Sequence, residues 1–140
     1  MAKSIKATRT VYKFQYAAKF LCTSNIPGTS FTSDAVVPGE YKTAVNIHNP
    51  QTKGVRLRKK IASSIGISKY FDSGLEPDAV ETVTCAQVPD FGLILVHGFE
   101  GFLVIESTHS LDVVAVYTAM PNKGQVSSID VQSVKERKLG

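Results

Sequence analysis

The sequence predicts an all-β fold, an antiparallel β-sandwich of about seven or eight strands with at most a short helix. Two observations carry this. Residues 11–22 alternate with period two: Tyr12, Phe14, Tyr16, Ala18, Phe20 and Cys22 fall on one face, and Val11, Lys13, Gln15, Ala17, Lys19 and Leu21 on the other. That is the pattern of a half-buried strand. Beyond it the chain divides into short runs rich in Val, Ile, Thr and aromatic residues, separated by turns containing Gly and Pro, with little helical periodicity.

Taken in order, residues 23–33 have loop chemistry, and Val37-Pro38-Gly39 marks a tight turn. Residues 40–49 form the second predicted strand, with Tyr41, Thr43, Val45, Ile47 and Asn49 on one face. The turn from Asn49-Pro50 to Gly54 predicts a hairpin into residues 55–63, where Val55, Leu57 and Ile61 oppose Arg56, Arg58 and Lys60, and Lys59 interrupts the inner face. Residues 64–73 fit either a short helix or an irregular crossover. Short strands are predicted at 79–85, 91–96 and 101–107, with one helical turn at 85–89. Residues 111–118 are apolar on both faces, as a central strand requires. A last strand at 128–134 precedes a charged tail, Lys135 to Lys138. Residues 1–10 read as a basic N-terminal arm and 11–140 as one sandwich domain.

A chain of 140 residues can bury roughly two-thirds of its unfolded surface around one core. Apolar residues make up 43% and charged residues 20%, ordinary globular values that exclude a disordered chain. The longest strongly apolar runs, 91–96 and 102–105, fall well short of the roughly 20 residues of a spanning helix. The net charge of +4 permits attraction to polyanions without establishing it. The N-terminus carries basic residues but no apolar stretch of about 7–15 behind them, so a cytoplasmic setting is expected. An extracellular one follows if a signal was removed or export is signal-independent. Cys22 and Cys85 are too few for a disulfide framework or a paired-Cys zinc site. Two separately buried thiols is the favoured reading, and a structural disulfide or a reactive thiol are the alternatives.

Residues 41–50 (YKTAVNIHNP), 101–107 (GFLVIES) and 111–118 (LDVVAVYT), with Ser128-Ile129-Asp130-Val131 and Glu136-Arg137-Lys138-Leu139 near the end, resemble a set of small uncharacterised bacterial β-sandwich proteins. The likeness covers most of residues 12–139. It implies an immunoglobulin-like or related sandwich and no catalytic residue. Many such proteins look exported, and the N-terminus of this chain departs from that pattern.

The residues offer little chemistry. His48, His97 and His109 show no HxH or HxxxH ligand spacing, so no metal is expected. No Gly-x-Ser-x-Gly elbow, Cys-His pair or phosphate-cradling loop is present, and no cofactor or catalytic residue is expected. Arg56, Arg58 and Lys60 form a cationic row that could take an anionic ligand or nucleic acid. The aromatic stripe of the first strand lies opposite its lysines, which favours a core wall over a stacking platform. The leading expectation is a non-enzymatic structural or interaction module that forms homo-oligomers through edge strands or terminal arms. Its candidate self-association residues are Lys3, Lys6 and Arg9 in the arm, and Ile129 and Val131 near the end.

Overall fold

A computed structural model describes residues 9–23, 39–93, 98–121 and 128–140. Among them the chain forms β1 (Phe14–Cys22), β2 (Glu40–His48), β3 (Val55–Ser63), β4 (Gly66–Ile67), β5 (Phe71–Leu75), β6 (Val80–Thr84), a 3-10 segment (Cys85–Phe91), β7 (Phe99–Ser107), β8 (Asp112–Met120), β9 (Ser128–Ser133) and β10 (Glu136–Lys138). They build two antiparallel sheets. The six-stranded sheet runs β10-β1-β7-β3-β4, with β5 also paired to β3, and the four-stranded sheet runs β6-β2-β8-β9. The fold is all-β, as the alternation predicts.

The core lies between the sheets and is built by alternation. From the six-stranded sheet Tyr16, Phe20, Leu57, Ile61, Leu103 and Ile105 point inward; from the other, Val45, Ile47, Val83, Val113 and Ala115 meet them. Each such side chain removed from water stabilises the fold by about 1.5–3 kcal/mol for the larger ones. Phe20 meets Phe99 edge to face at 6.4 Å. Gly101 lies opposite Phe20 in the ladder, and a Cβ there would come within 2.6 Å of the Ala62 carbonyl oxygen and 2.7 Å of the Phe99 ring. Only glycine fits between them.

Tyr16 joins the layers differently. Its hydroxyl accepts from the Leu111 backbone N–H and donates to Glu136, each at 2.7 Å, so a buried polar tip is satisfied. Lys59, the break in the inner face of β3, crosses to the other sheet and pairs with Glu81 of β6 at 2.6 Å. Its aliphatic stem stays in the interior while the charge reaches a partner at the margin.

Several expectations need correction. The Asn49–Gly54 turn is no hairpin: β2 and β3 lie in different sheets, and the turn carries the chain across the sandwich. The charged tail is a strand, β10, paired to β1, and the Leu139 N–H donates to the Lys13 carbonyl. It is tied to its own domain and is not a free arm. Cys22 and Cys85 are bonded to each other, linking β1 to the start of the 3-10 segment, so the two-thiol reading falls. The first strand begins at Phe14, and Tyr12, ahead of its alternation, packs on the outer face against Arg58. Residues 64–73 contain no helix but a turn, β4 and the first part of β5; Phe91 ends the 3-10 segment, and residues 94–96 of the strand expected there lie outside the described residues.

Candidate interaction surfaces

The outer face of the six-stranded sheet carries a polar row across five strands. Register places Arg137, Gln15, Glu106, Arg58 and Asp72 side by side on β10, β1, β7, β3 and β5. Arg137 donates to Gln15 at 2.8 Å, and Gln15 donates to Glu106 at 2.8 Å. Arg58 gives Glu106 two hydrogen bonds, Nε at 2.9 Å and Nη2 at 2.5 Å. The guanidinium is also sandwiched between the rings of Tyr12, at 4.3 Å, and Tyr70, at 4.0 Å, and Tyr12 donates to Asp72 at 3.0 Å. Burial works to raise the Glu106 pKa, but the bonds from Arg58 and Gln15 outweigh it, and the carboxyl is held below its ordinary range.

Arg56, Arg58 and Lys60 thus share one face, as the alternation requires. Their electrostatics differ from a bare cationic row: Arg58 is matched by a nearly buried carboxylate, Lys60 lies over the Tyr70 ring at 4.6 Å, and Arg56 is exposed.

The outer face of the four-stranded sheet is apolar over its middle. Thr84, Ala44, Val116 and Val131 form one row across β6, β2, β8 and β9, with Thr82, Asn46, Val114 and Ser133 on one side and Lys42, Thr118 and Ile129 on the other. Ile129, at 65% exposure, and Val131, at 60%, stand open on this face, as does Val80 at 59%. Among the described residues the strand that bears the first two is an edge, and all six of its residues are exposed. Most other edges are guarded or very short: β10 is three charged residues, β5 contains Asp72 and Gly74, β6 carries Glu81, and β4 is only the two residues Gly66–Ile67, although its Ile67 is exposed. β9 has one charge, Asp130, and neither Lys nor Pro.

At one corner of this face His48 bonds a carboxylate through each ring nitrogen, Asp112 to Nδ1 at 2.8 Å and Asp78 to Nε2 at 2.7 Å. Asp78 holds a left-handed backbone, φ 61°, at the turn into β6. Two acceptors on one imidazole are both satisfied only by the imidazolium. The hydrogen bond to Asp112, then that to Asp78, raises the His48 pKa. His109 moves the other way, lowered by burial and by Lys53 and Lys13. A raised folded pKa gives stability that is fully present below the unfolded value, near 6.5, and lost as pH rises through the folded one. Proton NMR titration is expected to show His48 titrating above His109, and Asp112→Asn to move the His48 midpoint down. Coincident midpoints would rule out the paired imidazolium.

Ligand-sized concavity is modest. A cleft of about 180 Å³ opens between the sheets, lined by Lys59, Phe71, Val83, Gln87, Asp90 and Phe91, below the roughly 300–1,000 Å³ of small-molecule sites. Among the described residues no group of three His, Cys, Asp or Glu is placed to hold a metal, and none of their helices is long and apolar enough to cross a membrane. Lys3, Lys6 and His97 lie outside the described residues, and Arg9 is exposed ahead of β1.

No expectation from the sequence covers the pairing of Glu106 with Arg58, the Tyr70 ring against Arg58, or the face formed by Val80, Val114 and Val116. The two-sided apolar pattern of residues 111–118 could have signalled the last of these. β8 is central within its sheet, but its outer side has no covering layer among the described residues.

No family model matches the chain, and no curated protein matches it. Its fold is similar to that of Thermotoga maritima 1070, a crystal structure, with a TM-score of 0.58 at 7% identity over 91% of this chain and 96% of that one. At that identity the likeness concerns the fold alone.

Proposed function

We propose that the protein is a non-enzymatic structural or interaction module, an immunoglobulin-like sandwich that self-associates through β9 and the apolar outer face beside it. The observation that carries this reading is the unguarded edge: a six-residue strand, wholly exposed, that turns Ile129 and Val131 to solvent beside Val114 and Val116. An open edge offers unpaired backbone donors and acceptors to another strand, and apolar side chains beside it add buried area on pairing. The Cys22–Cys85 bond supports work in an oxidising compartment, the extracellular setting among those expected.

Light scattering tests the reading. The protein is expected to exceed its 15.2 kDa monomer mass at tens of micromolar. The double variant Ile129→Lys, Val131→Lys should return to monomer, with a melting temperature within about 2 °C of the parent, since both side chains are already exposed. Deleting residues 1–10 separates the contribution of Lys3, Lys6 and Arg9: loss of the oligomer there would transfer the contact to the arm. A parent that stays monomeric at every concentration defeats the proposal.

A further inference from the structure

We propose that two copies pair antiparallel through β9 about a two-fold axis at Val131, which continues the four-stranded sheet from one protomer into its partner. This rests on the self-association reading above and specifies its geometry.

Backbone direction comes first. The Val134 N–H donates to the Val113 carbonyl at 2.9 Å, toward β8. In an antiparallel ladder the N–H and C=O groups of alternate residues point to the same neighbour. Asp130 and Gln132 therefore turn theirs to β8, while Ile129, Val131 and Ser133 present theirs at the open side. The register of β8 with β9 is unbroken from Ala119–Ser128 to Val114–Ser133, so no bulge disturbs this alternation.

Symmetry then limits the register. A two-fold axis perpendicular to a sheet keeps every side chain on its own face, so directly opposed residues must share parity and the axis must pass through a residue pair. Near the middle of β9 the candidates are Asp130 and Val131. An axis at Asp130 sets two carboxylates directly opposite, a destabilising pair. An axis at Val131 sets Val131 against its own copy and Ile129 against Ser133, all with outward-facing backbone groups. It also sets Asp130 against Gln132, whose amide already donates to Asp130 within the strand at 2.7 Å. The strand is thus self-complementary in one register, and the apolar stripe of Ile129, Val131, Val114 and Val116 runs unbroken across the axis. A second copy is the occupant this edge fits.

Cysteine scanning tests the register. The chain's two cysteines are bonded to each other, so one added cysteine is the sole free thiol. Directly opposed residues in a hydrogen-bonded pair lie about 5.5 Å apart at Cα, within disulfide reach. Under mild oxidation Val131→Cys is expected to give a covalent dimer on non-reducing electrophoresis at least tenfold faster than Asp130→Cys. Ile129→Cys and Ser133→Cys should link when mixed and not when alone. Parent mass from light scattering is measured alongside. A dimeric parent in which Asp130→Cys links faster overturns the register and leaves self-association standing. A dimeric parent in which no β9 cysteine links overturns β9 pairing and places the contact elsewhere, and a monomeric parent overturns both proposals.

Discussion

Loss of the Cys22–Cys85 bond is expected to lower the unfolding free energy by about 4 kcal/mol, within the roughly 2–5 kcal/mol seen when native disulfides are removed from small domains. The bond closes a loop of 63 residues in sequence separation, long enough for the unfolded chain to lose much of its freedom when cross-linked. In the folded state it ties the end of β1, in one sheet, to the segment that leaves β6, in the other. Cys22 is fully buried beside Phe20 and Phe99, so a Cys22→Ala, Cys85→Ala variant keeps most of the packing while removing the link. Urea unfolding with and without dithiothreitol checks this. Reductant should shift the parent midpoint downward and leave the double variant where it is. A parent whose thiols titrate as reduced, with an unchanged midpoint, would show that the link constrains nothing.

Asn49→Ala is expected to cost about 3 kcal/mol, chiefly by orphaning three backbone groups at about 1 kcal/mol each. Asn49 ends the inward row of β2 with no exposed surface. Its amide nitrogen donates to the carbonyls of Lys53, at 2.9 Å, and Leu75, at 2.8 Å, and its side-chain oxygen accepts from the Gln51 N–H at 2.8 Å. Its backbone also bonds both Ala79 and Asp78. The side chain therefore holds the crossover into β3 and the end of β5 in a single arrangement, while the Asn49 backbone fixes the turn into β6. Asn49→Asp sharpens the test: it keeps an acceptor for Gln51 but sets a carboxylate against two carbonyls, so its folded-state pKa rises. The added cost should be full at neutral pH and shrink as acid protonates the group. Chemical denaturation of both variants against the parent at pH 7 and pH 4.5 reads the difference, and equal losses at the two pH values would reject the buried-carboxylate account.

What the chain made legible follows from the range of each interaction. Period-two alternation is local, so the inward faces of β1, β2 and β3 could be read directly, and the β3 bounds match the prediction at both ends. Asn49-Pro50 and Gly54 mark a reversal, but the same turn chemistry serves a hairpin or a passage between sheets. The choice is made by the burial of Asn49, which depends on Leu75 far along the chain. β10 is too short and too charged to show a period, and only its pairing with Gln15 and Tyr16 makes it a strand. Arg58 looked like a free cation because Glu106 lies 48 residues away in sequence and becomes its neighbour only through the β3–β7 register. Ile129 and Val131 were visible as apolar residues in a terminal strand, whereas the surface they share with Val114 and Val116 depends on the β8–β9 register.

The passage of the chain between sheets has a kinetic consequence. β1 finds its partners in β7 and β10, and β2 finds its in β6 and β8, so neither sheet can be assembled from one contiguous stretch. Loop closure over such separations must precede most of the stabilising contacts, which places folding in the slow, millisecond-to-second regime of non-local β topologies. No half of the molecule holds a complete sheet, and so the two layers are expected to appear and to melt together.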